Sequence, residues 1–464
     1  MRTHHGPALR LLLGAALLSG CAEPVDPPSP LAASIDSILS VALDDGPLAG
    51  ASVAVVRGGE PIFQGFYGLA DVERGLPVTA DTRFNVASVA KIIAAATVLR
   101  LAEEGRLSLD QPVVELLPEL EGRAVLEGVQ VRHLLDMTSG LPDYVSADLE
   151  RWLQTREPLD PSFVLDELSR SEKVFDPGEQ WMYTNTGFYL AGLIVERVAA
   201  APWAEVVDAQ VVSPLGLRAT GLCDEMGAER SIGYEATDSG FVRSVQDAER
   251  GVRGDAGLCT TATELALLPD RLRSDGLTAA SLQRMLAPTR LLNGTGVDYG
   301  LGVARGRLFG RNLWGHLGGS GSIVAALYHF VPDTVSVAVV VNTRQASLGG
   351  LELVADVAAA VLAVGSPSLP TAIPGDASLA AFEGRFVGDR SRTEYQMRVV
   401  ENALVRSEPG DPESALALTR IGPLEFGRAD WPLDRFLFHR MEGAVTGYSA
   451  YYNGIFDGYY ARRD

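Results

Sequence analysis

Hydrophobic and polar positions follow two different periods at the start of the folded chain. The apolar residues spaced three or four apart are Ile35, Ile38, Leu39, Ala42 and Leu43. This spacing predicts an amphipathic helix over residues 31–45 that ends at Gly46-Pro47. The next two runs, SVAVVRGG and EPIFQGFYG, are rich in β-branched and aromatic residues around Gly58-Gly59. They predict a β-hairpin.

Near residue 330 the same elements follow in reverse order, with two strands before a helix. The runs IVAALYHF and TVSVAVVVN surround Pro332-Asp333 and predict two more strands, and residues 351–363 are rich in Ala, Val and Leu and predict a helix. The pattern therefore predicts an α/β (α+β) domain over residues 31–363. One antiparallel sheet, made from both ends and flanked by the terminal helices, would carry a mostly helical lobe inserted at about residues 85–290.

The last hundred residues have a different character. Residues 364–378 include GSPSLPTAIPGDAS, which is rich in Pro, Gly and Ser and indicates a linker. Residues 379–464 contain short aromatic runs such as DRFLFHR and YSAYYNGIFDGYYARR, with little helical periodicity. They predict a small all-β domain, either a barrel or a sandwich.

The first thirty residues indicate export. Arg2 and Arg10 precede the apolar run LLLGAALLSG, which is too short to span a bilayer, so residues 1–20 are typical of a signal peptide. Leu18-Ser19-Gly20-Cys21 resembles the lipobox of bacterial lipoproteins, which implies a lipidated Cys21 and a Pro-rich tether over residues 21–30. The protein would then be anchored to a bacterial membrane, facing the periplasm or the cell exterior. An ordinary signal peptide with an incidental cysteine is the alternative.

Composition excludes some function classes. The chain has 464 residues, 47 % hydrophobic and 21 % charged, which suits a globular protein of two folding units. Its formal net charge is −20, and no Lys/Arg-dense stretch offsets it, which argues against nucleic-acid binding. The histidines outside the glycine-rich stretch described below are His4, His5, His133, His329 and His439. Their spacing matches no metal motif, so neither a metal site nor a cofactor is expected.

One lysine stands at the head of an uncharged helical run in NVASVAKIIAAAT, residues 85–97. Lys91 would be buried there, where an unpaired ammonium is costly. Ser88 lies three residues earlier on the same helical face, so its Oγ can meet Lys91 Nζ. A desolvated lysine can take or polarise the hydroxyl proton, and the helix N-terminus favours the anion formed when Ser88 attacks a carbonyl. The structural alternative is a solvated helix start.

Two later stretches could add to such a site. Tyr183-Thr184-Asn185 precedes an apolar helical run; structurally, Asn185 or Thr186 would cap that helix and Tyr183 would be core. The second stretch, GHLGGS at residues 315–320, places His316 among glycines just before a predicted strand. Glycines let a backbone approach a ligand closely, although a plain structural turn has the same composition.

Together and in this order, S-x-x-K, Y-x-N and H-x-G resemble the motifs of the serine β-lactamase and penicillin-binding protein superfamily. The resemblance is strongest to class C β-lactamases and related DD-peptidases and esterases. The segments LLDMTSGLPDY (residues 134–144) and PGEQWMYTNTGFYLAG also look like family framework, and the resemblance covers about residues 31–363. It implies a serine hydrolase that forms an acyl-enzyme with an ester, a D-amino-acid peptide or a β-lactam.

The resemblance also assigns roles to residues. Ser88 would be the nucleophile, and Lys91 and Tyr183 would form the proton-transfer group. Asn185 would orient the amide or ester of the substrate. The backbone N–H groups of Ser88 and Gly319 would form the oxyanion hole.

His316 is a departure from many relatives, which carry lysine there. It would help bind a carboxylate or complete the hydrogen-bond network. A neutral imidazole offers less positive charge than lysine, which makes an ester a better candidate than a carboxylate-bearing β-lactam or peptide. The next residues, GGSGSI, also differ from the Gly-Pro-Phe-like continuation of many relatives.

A non-catalytic member of the superfamily is the alternative function. Such a module would bind peptidoglycan or a protein partner without turnover, but the retention of Ser88, Lys91 and Tyr183 argues against it. The expected partners are a small-molecule or peptide substrate and, through the lipid anchor, a membrane. The sequence leaves the acyl donor, the role of the β domain and the oligomeric state open.

Two cysteines remain if Cys21 is lipidated. Cys223 and Cys259 both fall in loops of the helical lobe, outside the three motifs. Because an exported protein meets oxidising conditions, we expect them to form a disulfide. Two free buried thiols are the alternative.

Overall fold

A computed structural model describes most of the chain. The described residues are 29–45, 48–155, 157, 159–227, 230–244, 252–320, 322–344, 350–364, 378–388, 394–428, 433–441 and 443–463. The predicted signal peptide, Cys21 and most of the predicted linker lie outside these ranges. Within them, no helix has both the length and the apolarity needed to cross a membrane.

Helices and strands occur in the following order. The helices are α1 (Pro30–Asp45), α2 (Ala90–Glu103), α3 (Val113–Leu116), α4 (Val131–Leu135), α5 (Val145–Thr155), α6 (Pro161–Arg170), α7 (Asn185–Ala199), α8 (Trp203–Val207), α9 (Ala262–Arg271), α10 (Ala279–Leu286) and α11 (Gly350–Val361). The strands before α11 are β1 (Gly50–Arg57), β2 (Glu60–Asp71), β3 (Leu76–Pro77), β4 (Phe84–Asn85), β5 (Gly221–Leu222), β6 (Tyr234–Thr237), β7 (Gly240–Arg243), β8 (Leu258–Thr260), β9 (Thr289–Arg290), β10 (Gly296–Val297), β11 (Ala304–Leu308), β12 (Arg311–Gly319), β13 (Val324–Phe330), β14 (Val335–Val341) and β15 (Thr343–Arg344). The strands after it are β16 (Gly384–Gly388), β17 (Glu394–Val400), β18 (Ala403–Glu408), β19 (Asp411–Arg420), β20 (Glu425–Arg428), β21 (Arg435–Met441), β22 (Ala444–Tyr452) and β23 (Ile455–Arg462).

Both ends of the first domain contribute to one antiparallel sheet, in the order β11-β12-β13-β14-β1-β2-β3. The join lies between β1 and β14, where Ala51 pairs with Val341 and Arg57 with Val335. Every residue of β13 and β14 is buried, and since successive side chains point to opposite faces, both faces of the sheet are covered. Helices α9 and α11 both pack on β14, and α1 packs on α11. The predicted fold class is confirmed.

The inserted lobe holds the helices between β4 and β9. Its central helix is α2, in which eleven of fourteen residues are buried, including Lys91. Such a helix depends on contacts on every side, and α2 packs against α7, α8 and α10. The lobe also contains short strands, β4 to β8, that the sequence pattern did not predict.

The C-terminal domain is a closed antiparallel barrel. Its strands follow chain order from β16 to β23, and β16 also pairs with β23, so the sheet closes on itself. Closure removes free sheet edges and settles the choice between barrel and sandwich in favour of the barrel. The barrel has a core of its own, built around aromatic residues such as Phe382, Phe386, Phe426 and Phe438.

The barrel packs closely on the first domain. One backbone pair, Gly306 with Ile455, joins β11 to β23. The Tyr451 hydroxyl donates to Asp298 Oδ2 over 2.7 Å, across the same interface. Ile455 is fully buried and belongs to the core of the first domain. The barrel is thereby held beside the sheet edge that carries His316.

Cys223 and Cys259 form a disulfide in the structure, with Cα atoms 4.9 Å apart. Cys259 lies in strand β8, where a loop was expected from the sequence, because β8 pairs with both β4 and β5. The bond closes a segment of 36 residues within the helical lobe.

Replacing both cysteines with serine is expected to lower the melting temperature while leaving turnover almost unchanged. On the loop-entropy argument the bond restricts the unfolded chain by at most about 4 kcal/mol. The backbone pairing of β8 with β4, which leads towards Ser88, does not need the sulfur atoms. Thiol counting on the denatured, unreduced wild type checks the bond itself. Two free thiols would contradict the bond. A clear loss of turnover at a temperature where the variant is still folded would contradict its purely structural role.

Candidate active site

A strained turn presents Ser88 at the start of α2. Residues Ala87–Val89 form a 3-10 turn, and Ala87 has a φ of +44°, which is uncommon for a residue with a side chain. The Ala87 N–H donates to Asn85 Oδ1 over 2.8 Å, which fixes this conformation. Holding such a conformation costs about 1–3 kcal/mol, and such strain concentrates at functional sites.

The contacts of Lys91 explain why this charged side chain can be buried. Its side chain is fully buried, and Nζ donates to Ser88 Oγ over 3.1 Å, to Asn185 Oδ1 over 2.8 Å and to the Asp255 carbonyl oxygen over 2.8 Å. An ammonium has three donors, and three acceptors stand around it. The structure thus brings three of the predicted site residues, Ser88, Lys91 and Asn185, into one hydrogen-bonded group.

The start of α7 positions Asn185 for this contact. The N-cap is Thr184, whose Oγ1 accepts from the Thr186 N–H over 3.2 Å, so the alternative that Asn185 or Thr186 caps this helix is wrong. Because Thr184 caps α7, the Asn185 side chain does not and instead accepts from Lys91. Its Nδ2 donates to Asp143 Oδ2 over 3.1 Å, and its backbone N–H to Asp143 Oδ1 over 3.2 Å. Asp143 therefore orients the amide.

Tyr183 lies beside the same lysine. Lys91 Nζ is 5.1 Å from the centre of the Tyr183 ring, within the range of a cation–π contact. The ring of His316 is 6.1 Å away, and Tyr183 is only 8 % exposed. The structure therefore gathers Tyr183 and His316 on the Lys91 side of the site. The proton-transfer role of Tyr183 stays a prediction.

The end of strand β12 forms another wall. Strand β11 pairs with residues Arg311 to Gly315, so the last residues of β12 extend beyond that pairing. Gly318 lies so close to the turn before Ser88 that a Cβ there would collide with the Val86 carbonyl oxygen. This close approach explains one glycine of the motif. The next residue, Gly319, is the predicted oxyanion donor, and that role stays a prediction.

His316 is turned into the protein. It is 3 % exposed, its Nδ1 is 2.6 Å from the Leu317 carbonyl oxygen, and its Nε2 is 3.0 Å from the Tyr299 hydroxyl. Because a carbonyl can only accept, Nδ1 carries a proton. In the neutral ring Nε2 then accepts from Tyr299. Of the two roles expected for His316, this geometry serves the hydrogen-bond network.

Asp255 is a buried acid that was not predicted from the sequence. It is 3 % exposed, its Oδ2 accepts from the Tyr144 hydroxyl over 2.8 Å, and its Oδ1 has no hydrogen-bond partner. Burial raises the pKa of Asp255 to about 6, although the charge of Lys91 and the Tyr144 hydrogen bond act in the opposite direction. No sequence motif marks this residue, because it meets Lys91 only in the fold.

Asp255→Asn should change how stability depends on pH. The carboxyl ionises near its ordinary pKa of 3.8 in the unfolded chain but at a pKa of about 6 in the folded protein, so wild-type stability falls as the pH rises between these values. The loss amounts to about 3 kcal/mol at neutral pH. The melting temperature of Asp255→Asn relative to wild type should therefore rise by several degrees from acidic to neutral pH. The exposed Asp81→Asn is the control, and an Asp255→Asn difference as flat as that of Asp81→Asn would refute this expectation.

The barrel supplies part of the site wall. Phe456 packs edge-on against Trp181 with ring centres 4.9 Å apart. Phe456 and Asp457, with Tyr183 and His316, line a cavity of about 10 Å³, which is room for about one water molecule. Neither barrel residue could be predicted, because the motifs all lie in the first domain.

Phe456→Ala should widen this side of the site. Removing the ring leaves space beside Trp181 and Tyr183, so the ratio of kcat/KM for a bulky ester to that for a small ester should rise by about tenfold. Tyr451→Phe is the matched control, because it weakens the same domain interface at the bond to Asp298. A ratio that stays constant, or that moves equally in both variants, would remove Phe456 from substrate selection.

The arrangement as a whole suits nucleophilic chemistry. A hydroxyl at a helix start touches a buried ammonium, an oriented amide stands opposite, and a glycine-bearing strand edge lies alongside. Such a group can transfer the hydroxyl proton and hold the oxygen of an attacked carbonyl. Among the residues that the structure describes, no three His, Cys, Asp or Glu side chains are placed to hold a metal ion.

Comparison with known proteins supports the resemblance that the three sequence motifs indicated. The sequence model of the Beta-lactamase family matches residues 35–363. The chain is 39 % identical over 203 residues to Esterase EstB of Burkholderia gladioli, covering 41 % of this chain and 51 % of the relative. It is 28 % identical over 311 residues to a D-aminopeptidase of Gluconobacter oxydans, covering 65 % and 57 %. The chain thus spans little more than half the length of these curated relatives.

A solved structure resembles both domains. It is the octameric penicillin-binding protein homologue from Pyrococcus abyssi, with a TM-score of 0.65 and 21 % identity. The match covers 93 % of this chain and 99 % of the other. At this identity the likeness concerns the fold alone, and it extends over the barrel as well as the first domain.

Proposed function

The chain belongs to the Beta-lactamase family, and we propose that it is a serine hydrolase that works through an acyl-enzyme. The single observation that carries the proposal is the contact of 3.1 Å between Lys91 Nζ and Ser88 Oγ at the start of a buried helix. A pure binding module would have no need of a fully buried lysine aimed at a serine hydroxyl, since burying that charge is costly.

The reaction would proceed in two steps. Ser88 Oγ attacks the substrate carbonyl carbon, and its proton passes to the Lys91–Tyr183 group when that group lacks one proton, that is, with Lys91 as the amine or Tyr183 as the phenolate. The carbonyl oxygen becomes an oxyanion near the backbone N–H groups of Ser88 and Gly319. The leaving group departs with a proton returned from the same group, which leaves an ester on Ser88. Water then attacks that ester, gives up a proton by the same route and releases a carboxylic acid.

The charges around the site favour substrates without a free carboxylate. His316 uses both ring nitrogens inside the protein, and the acidic Asp457 lies on the cavity wall beside Tyr183. A carboxylate placed there would meet an acid where many relatives offer a lysine. We therefore propose esters, and amides of neutral or amine-bearing acids, as the substrate class. The esterase and D-aminopeptidase among the relatives are consistent with this choice.

Covalent labelling followed by a substrate panel tests this function. A fluorophosphonate should label the purified protein once, on the peptide that contains Ser88. The panel should then contain small esters, D-amino-acid amides and carboxylate-bearing β-lactams, with hydrolysis fastest for an ester or amide. Labelling without turnover of any panel member would leave the nucleophile but overturn the substrate class. The absence of both labelling and turnover would favour the non-catalytic binding module.

A further inference from the structure

Asp255 lies in a loop that is pressed against α7. Gly254 has a φ of +75°, and a Cβ there would collide with the Phe188 carbonyl oxygen. One turn later in α7, a Cβ at Gly192 would stand only 2.9 Å from Arg253 Cβ. The positive φ and the close contacts both require glycine. Two glycines, one in the loop and one in the helix, therefore fix the backbone around this acid.

The Asp255 carboxylate acts on Lys91 without occupying one of its donors. Lys91 Nζ gives its hydrogen bonds to Ser88 Oγ, Asn185 Oδ1 and the backbone carbonyl oxygen of Asp255. The carboxylate accepts from the Tyr144 hydroxyl at Oδ2, and among the described residues its buried Oδ1 has no hydrogen-bond partner. The two charges still attract each other, since the charge of Lys91 lowers the pKa of Asp255. Lys91 thus has a buried negative charge beside it and all three donors engaged elsewhere.

Other titratable and charged groups surround this acid. Those on the elements packed around it are Lys91 of α2, Asp143 and Tyr144 before α5, Asp148 of α5, Tyr189 of α7 and Arg253 in its own loop. Burial raises the pKa of both tyrosine hydroxyls, so they stay neutral. Asp148 pairs with Arg151, and Arg253 pairs with Glu196.

Asp143 is the other acid near Lys91, but it is already engaged. Its Oδ1 and Oδ2 accept from the backbone and side-chain N–H groups of Asn185. These donors neutralise part of its charge, whereas the Asp255 carboxylate keeps one oxygen without a donor. Asp255 is therefore the acid whose charge is best placed to act on Lys91.

We propose that Asp255 is a positioning residue, and that its carboxylate compensates the positive charge that the Lys91–Tyr183 group gains during acyl transfer. This inference rests on the proposed hydrolase function. When Ser88 Oγ bonds to the substrate carbonyl carbon, its proton moves to that group, which becomes more positive by one proton. A nearby carboxylate stabilises the protonated group and so makes it a stronger base. The added charge disappears when the proton passes to the leaving group, and Asp255 itself exchanges no proton.

The pH dependence of kcat/KM tests this role in Asp255→Asn, which keeps an acceptor for Tyr144 but carries no charge. Without the carboxylate the Lys91–Tyr183 group should lose its proton more easily, so the acid limb should move to lower pH by about one unit. The same group is then a weaker base, so the plateau above the limb should fall about three- to tenfold. Below a pH of about 6 the two profiles should converge, because the wild-type carboxyl is then protonated as well.

Asp270→Asn is the matched control. Asp270 is also buried, at 4 % exposure, but its carboxylate accepts from the Gly59 N–H at the turn between β1 and β2. This variant should leave the limb and the plateau in place. Asp255→Ala lacks the charge and also the amide, so a limb that moves as in Asp255→Asn would trace the effect to the charge.

The outcomes separate this role from the function on which it rests. A plateau that falls while the limb stays in place, or a limb that moves to higher pH, would overturn the role of Asp255 and leave the hydrolase function standing. A wild type that neither reacts with the fluorophosphonate nor turns over any ester or amide would overturn the proposed function, and this inference with it.

Discussion

Ser88→Ala is expected to lower kcat of the best ester or amide substrate by about four to six orders of magnitude. The expected size follows from the role: without Oγ no acyl-enzyme can form, and only substrate binding and the oxyanion site remain to speed direct attack by water. The fold should survive, because Lys91 keeps two acceptors, Asn185 Oδ1 and the Asp255 carbonyl oxygen. The stability change should be about 1 kcal/mol, the usual value for one hydrogen bond.

The measurement combines steady-state kinetics, fluorophosphonate labelling and thermal melting of the same preparations. Ser281→Ala is the matched control, because Ser281 lies in the first turn of α10, and Arg284 stands three residues later. It should label and turn over like wild type. Ser88→Ala activity within tenfold of wild type, with the label still bound elsewhere, would remove Ser88 from the mechanism.

The fold could be predicted where local pattern and long-range packing agree. The runs VAALYHF and VSVAVVV are apolar at every position or nearly so, and only a strand covered on both faces buries all of them. The Gly-Gly turn at Gly58-Gly59 fixes the first hairpin, since both residues have positive φ. Lys91 could be singled out for a similar reason: a charge inside an apolar helix demands partners, and Ser88 is within one helical turn.

What could not be predicted depends on contacts between distant segments. Asp255 reaches Lys91 from 164 positions along the chain, and nothing local in GDAGL marks it as a site residue. Asp143 lies in a quoted framework segment, but its bond to Asn185 follows only from the placement of α7. Phe456 belongs to another domain. The capping choice was missed because Thr184, Asn185 and Thr186 all suit an N-cap, and only the helix start decides among them.

These contacts show how residues of both domains, together with Asp143 and Asp255, support one small site. Lys91 lies at its centre, with Ser88 and Tyr183 close by, and Asp255 supplies both a carbonyl acceptor and a nearby buried carboxyl. The barrel closes the His316 side through Phe456. If Lys91 and Tyr183 serve one proton transfer, as proposed, they are expected to act as a unit.

Double replacement of Lys91 and Tyr183 tests that unity. Lys91→Ala and Tyr183→Phe should each lower kcat/KM by about two to four orders of magnitude, the usual contribution of a proton-transfer group. If both residues serve one proton transfer, the second replacement removes little that the first has left, so the double variant should lose far less than the product of the two factors.

Controls must separate this from structural damage, because Lys91 is fully buried and its loss leaves Asn185 Oδ1 and the Asp255 carbonyl oxygen without their donor. Lys91→Met keeps most of the side-chain volume and should give the same kinetic loss as Lys91→Ala with a smaller fall in melting temperature. Combining Lys91→Met with Asp81→Asn, at an exposed position, should be additive. Kinetic losses for Lys91 and Tyr183 that multiply fully would mean that the two residues act in separate steps, and the shared proton transfer would be abandoned.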